Sequence, residues 1–135
     1  MSNIVVSVKA IFYTKNKFLM LETDNGIRDL PGGKIEYGEE IVDCLKRELK
    51  EELGVTTYKE SPKLYWVWTY TSKSKEIHQV MIVYSILLDT EVNFKHQEEN
   101  FTKCNWIDKN DIKSHKYIPE MEKFLLNLFD MNLIE

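Results

Sequence analysis

Residues Gly33 to Val55 read G-K-I-E-Y-G-E-E-I-V-D-C-L-K-R-E-L-K-E-E-L-G-V. The apolar residues Ile41, Leu45, Leu49 and Leu53 recur at helical spacing, which predicts an amphipathic helix with one stripe facing a core. The helix is expected over about Glu39 to Leu53, with Glu39 and Glu40 in a first turn whose dipole favours negative charge. Gly54 stands where a helix takes a left-handed cap. Glu48, Glu51 and Glu52 are three and four residues apart and so share one face. At about 100° per residue they cover an arc of about 100° beside the apolar stripe, with Glu48 and Glu52 at its edge. Like charges gathered this closely cost stability unless a cation neutralises them. Hard carboxylate oxygens suit Mg²⁺, an ion that often bridges protein and phosphate. The segment therefore points to metal-assisted chemistry at a phosphate.

Outward from this helix the chain alternates strands and turns. Ile4 to Tyr13 and Phe18 to Glu22 read as two strands of a hairpin, joined by the polar residues 14–17. Thr23 to Asp29 reads as a loop, and Leu30-Pro31-Gly32-Gly33 as a strong breaker. Leu64 to Thr71 alternates, with Leu64, Trp66, Trp68 and Tyr70 on one face. Ile77 to Leu88 is apolar on both faces, as a strand covered on both sides would be. A short strand over Val92 to Phe94, another around Phe101 to Ile107 and a short helix within Asp108 to Ser114 follow. Pro119 to Met131 reads as a final amphipathic helix with Pro119 at its first position. No repeat, linker or low-complexity tract interrupts the chain. The expectation is one α/β (α+β) domain over 1–135, with a mixed sheet between helical layers.

Composition narrows the function. A net charge of −4 with no basic block argues against a nucleic-acid surface built on counterion release. A small phosphorylated substrate stays compatible, because a metal supplies the missing positive charge. The longest apolar run, Val80 to Leu88, is too short for a bilayer, so no membrane partner is expected. The first residues carry no basic start and no small-residue cleavage site. Cys44 and Cys104 form no CxxC, and free thiols in a reducing, cytoplasmic setting are the expectation.

Nine constrained positions within 33–55 also fit a known pattern, G-x5-E-x7-R-E-U-x-E-E-x-G-U with U aliphatic. Gly33, Glu39, Arg47, Glu48, Leu49, Glu51, Glu52, Gly54 and Val55 fill it at the required spacing. The box resembles the signature of the Nudix hydrolases, MutT-like nucleotide pyrophosphohydrolases, and the preceding L-P-G-G resembles their usual run-in. The resemblance implies a Nudix-type α/β/α sandwich. It implies cleavage of a diphosphate linkage in a nucleoside diphosphate joined to a group X, with Mg²⁺ or Mn²⁺ bound. Glu48, Glu51 and Glu52, with the carbonyl of Gly32, would then hold metal. Arg47 would orient a carboxylate by a bidentate contact, with Glu39 as its partner or one layer further out, and Gly33, Glu39 and Gly54 would be structural. The general base would be Glu48, or Glu98 or Glu99 from a later loop. One departure is Arg28, two residues before the leucine of L-P-G-G, where many members carry an aromatic.

Several residues keep two readings. Trp66, Trp68 and Tyr70 either stack a nucleobase or pack in the core. Lys34 either contacts phosphate beside Gly33 or lies exposed. Cys44 reads as a small packed residue, and His78, His96 and His115 show no ligand spacing. A small nucleotide such as a nucleoside triphosphate is the expected substrate. The resemblance leaves a homodimer open. The alternative is a non-catalytic nucleotide-sensing module on the same fold, a module with no need of the three acids.

Overall fold

The computed structural model describes residues 3–92, 94 and 101–130. β1 (Asn3–Tyr13) and β2 (Lys17–Thr23) form the expected hairpin, but pair only beside the turn, at Tyr13 and Phe18. Beyond it they splay. β4 (Gly32–Lys34) pairs antiparallel with β1 in the gap, while β3 (Ile27–Asp29) and β7 (Phe101–Asp108) pair with β2. On its other side β1 runs parallel to β6 (Ile77–Leu87), which pairs antiparallel with β5 (Lys63–Ser72) at the sheet edge. β8 (Lys116–Tyr117) runs parallel to β3. The result is one mixed, eight-stranded sheet, as the sequence predicts.

Side-chain alternation divides this sheet into two cores. Val8, Ala10, Phe12, Leu19 and Leu21 face α1 (Ile41–Leu53) and pack on its Cys44, Leu45, Leu49 and Leu53. Ile11, Tyr13, Phe18 and Met20 point the other way and meet Met121, Phe124, Leu125 and Leu128 of α2 (Met121–Asp130). A 3₁₀ helix (Lys109–Ser114) closes this second layer through Ile112.

The structure departs from the sequence reading in five places. α1 begins at Ile41, with Glu40 as its extended N-cap and Glu39 outside. Ile41 is therefore terminal and 38% exposed, and Cys44 takes its place in the buried stripe. That shift brings Glu52 from the edge into the buried arc. Residues 27–29, expected in a loop, form β3 by pairing at Leu21–Asp29 and Glu22–Arg28. Leu64 is exposed although Trp66 and Trp68 face α2. The cause is a register shift between Leu64 and Trp66 against β6, where one extra residue reverses the alternation. Val92 and Phe94 lie outside any strand; Phe94 instead packs on Phe12, ring centres 5.0 Å apart. Pro119 sits in a turn ahead of α2, where Glu120 takes φ 69°.

Candidate active site

β4 lies directly under the acidic face of α1, and its two glycines determine how close the acids come. A Cβ on Gly33 would stand 2.5 Å from the Glu48 carboxyl carbon, so only a bare α-carbon admits that side chain. A Cβ on Gly32 would stand 2.1 Å from the Val8 carbonyl oxygen, and φ there is +132°, a region that side chains avoid. The Gly32 N–H donates to Glu52 Oε1 at 2.6 Å. Glu52 is 2% exposed, and its Oε2 is buried with no hydrogen-bond partner.

Arg47 organises the rim. Its Nε and one terminal nitrogen donate to both oxygens of Glu39 at 2.7 and 3.1 Å. The other terminal nitrogen donates to Glu48 at 2.8 Å and to Glu51 at 3.3 Å. The Lys34 carbonyl accepts a further bond at 3.1 Å. Glu39 also accepts the Glu36 N–H at 3.0 Å. The guanidinium fork thus ties the loop before α1 to the acidic face. Below it lies the buried Cys44.

Electrostatics follow this geometry. Burial raises the Glu52 carboxyl to about 7, opposed by Lys9 and by the Gly32 N–H. Burial also raises Glu48, with Arg47 pulling the other way. The Arg47 bond holds Glu39 down at about 2. Burial pushes the Cys44 thiol up to about 12. Buried carboxylates that are hard to ionise favour a cation among them. Among the described residues no cluster of His, Cys, Asp and Glu forms a finished metal cage, and Arg47 engages Glu48 and Glu51. The donor set nevertheless fits a divalent ion: it is all oxygen and crowded, it runs from the half-exposed Glu51 to the buried Glu52, and it ends in the bare Glu52 Oε2.

The chain matches the NUDIX domain family over residues 2–128. The chain belongs to the Nudix family. This Nudix hydrolase is 31% identical to the Nudix hydrolase YvcI of Bacillus subtilis over 81% of its own length and 69% of that protein's. It is 32% identical to an 8-oxo-dGTP diphosphatase of Buchnera aphidicola, over 55% of its length and 56% of that protein's. Its fold superposes on a MutT protein from Methanosarcina mazei Go1 with a TM-score of 0.78, covering 97% and 96% of the two chains at 22% identity.

Of the remaining expected site residues, Lys34, Trp66, Trp68 and Tyr70 divide between two cavities that share Tyr70. Lys34 and Tyr70 line one cavity of about 510 Å³ with Ile27, Thr71, Lys75 and Gln79. Trp66 and Trp68 face α2: the Trp68 ring stacks on Phe124, centres 5.5 Å apart, and its Nε1 donates to the Pro119 carbonyl. Glu98, Glu99 and His96 lie outside the described residues. Gly54 caps α1 in the left-handed conformation, its N–H directed to the Leu49 and Lys50 carbonyls.

Two residues at the site escape the sequence reading. Lys9 of β1, 6% exposed, donates to Asp29 at 3.1 Å and to the Gly32 carbonyl at 3.3 Å. Asp29 also accepts the Leu30 N–H at 2.7 Å. The available signal was a lone lysine inside the apolar run V-S-V-K-A-I-F. Such a charge is buried only when paired.

Proposed function

We propose that this Nudix hydrolase acts as one domain that cleaves the diphosphate linkage of a nucleoside diphosphate joined to a group X, with Mg²⁺ or Mn²⁺. A nucleoside triphosphate or similarly small nucleotide is the substrate we favour. The observation that carries this reading is Glu52: a buried carboxylate with one oxygen fixed by Gly32 and the other bare. Glu48, Glu51 and Glu52, with the Gly32 carbonyl, would hold the ion. A divalent ion at such a site neutralises phosphate oxygens and lowers the pKa of bound water. Arg47, anchored on Glu39, sets the direction of Glu48 and Glu51. Glu48 serves as general base in this reading, with Glu98 and Glu99 as the other choices.

Lys34 and Tyr70 bring a cation and an aromatic ring to one cavity beside Gly33, and its size suits a nucleotide. Trp66 and Trp68 would extend that surface along the same strand. The 8-oxo-dGTP diphosphatase among the relatives acts on a compact nucleotide of this kind. No described helix is long and apolar enough to cross a membrane. A cytoplasmic setting is part of the proposal, and the two free thiols accord with a reducing compartment. The test is phosphate or pyrophosphate release from a nucleotide panel with Mg²⁺, then with EDTA. Turnover that vanishes in EDTA is expected. Silence on every diphosphate would turn the reading to a nucleotide-sensing module.

A further inference from the structure

Lys9 is a buried cation on β1, beside the Gly32 carbonyl that the reading above gives to the metal. It sits opposite Gly32 in the β1–β4 register. Its ammonium reaches Asp29 Oδ2 at 3.1 Å and the Gly32 carbonyl at 3.3 Å. The same Gly32 peptide donates its N–H to Glu52 at 2.6 Å. One peptide unit is therefore held at its oxygen by Lys9 and at its nitrogen by Glu52. Burial disfavours the Lys9 charge, and Asp29 first, then Glu52 and Glu48, offset it, so the ammonium lies above the ordinary lysine range. Burying an ammonium is costly unless anions surround it, so its partners explain why a lysine occupies a core strand. Asp29 is fixed in turn by the Leu30 N–H.

We propose that Lys9 is the resident counter-cation of the metal centre, a positioning residue that pairs with Asp29 and holds the Gly32 peptide, and through it Glu52, while no divalent ion is bound. The inference rests on the metal reading above. It means that the metal-free centre already holds one buried positive charge and that the divalent ion enters a site with part of its negative charge balanced. Removing that balance makes the protein lean harder on the metal.

Lys9→Met keeps the length of the buried stem and removes the charge. Its metal-free melting temperature should lie below that of the wild type. The rise on adding Mg²⁺ should exceed the wild-type rise by about 3–5 °C, since binding to the folded state alone sets that rise. Mn²⁺ binding followed by electron paramagnetic resonance should tighten about tenfold, the direction Coulomb's law gives for a lost buried cation. Lys9→Arg should restore both values. A lysine needed only for packing would lower both melting temperatures equally, so equal Mg²⁺ increments in wild type and Lys9→Met would overturn the proposal. A wild type indifferent to both Mg²⁺ and Mn²⁺ would remove the metal reading itself. If Lys9→Met cannot be isolated without metal, refolding from urea reads the same point. Recovery in Mg²⁺ but not in EDTA supports the proposal. Failure in both, while Lys9→Arg refolds, defeats it.

Discussion

In the function proposed above, Glu52 concentrates the chemistry of the site in one side chain. Gln can keep the Oε1 acceptor for the Gly32 N–H but loses the charge. Glu52→Gln should lower kcat on the order of 10³-fold with little loss of folding; steady-state kinetics beside a thermal melt check this. Wild-type turnover in that variant would remove Glu52 from the mechanism. The same carboxyl gives the metal-free protein a pH dependence. Its folded value of about 7 lies above the ordinary 4.5, so between these limits the folded state holds a proton that the unfolded chain has released. The stabilisation is complete below about pH 4.5 and is lost as pH rises through about 7. In EDTA, urea melts should show stability falling by on the order of 1–3 kcal/mol from pH 5 to 8. Glu52→Gln should flatten that slope, and an unchanged slope would assign it elsewhere. The three acids were legible because their spacing is local to one helix. Lys9 and Asp29 were not, since strand pairing brings residues 9, 29 and 32 together and nothing in their spacing announces it.

β4 and α1 work as a pair, and the two glycines separate folding from function. Gly32→Ala meets the Val8 carbonyl oxygen and a positive φ, which the backbone cannot relieve. A loss of about 3 kcal/mol or more is expected in denaturant melts. Gly33→Ala meets the movable end of the Glu48 side chain. It should cost less stability but lower kcat by about 10²-fold, by turning Glu48 aside. Comparable losses of stability in the two variants would contradict this division. The body and the glycine cap of α1 were readable from apolar spacing and Gly54. Its first turn was not, because Glu39 leaves the helix to meet Arg47. The bulge that exposes Leu64 escaped for a related reason: periodicity describes a regular strand, and partner strands decide where one residue is inserted.

At the scale of the molecule, the three site acids lie on the α1 layer, while Tyr65, Trp66, Trp68, Phe124 and Phe129 pack on the α2 side. Phe124 is 1% exposed, packs edge-on to Tyr65 and stacks with Trp68. Phe124→Ala should cost about 3–5 kcal/mol, while the protein that remains folded keeps its kcat. Urea titration with kinetics corrected for the folded fraction checks this; a parallel fall in corrected kcat would mean that the α2 layer reaches the chemistry. Strand and helix patterns sufficed for the mixed sheet between helices. The splay of β1 from β2, which makes room for β4, follows from long-range pairing and has no local signature. The paired glycines in that gap also govern how the enzyme can change. Saturation libraries should return near-blank columns at positions 32 and 33, since nineteen of twenty amino acids carry the obstructing carbon. If the 510 Å³ cavity receives the nucleotide as proposed, diversification is thereby steered to lining residues such as Ile27, Thr71 and Lys75, none of which is among the nearest neighbours that a carbon added at Gly32 or Gly33 would meet.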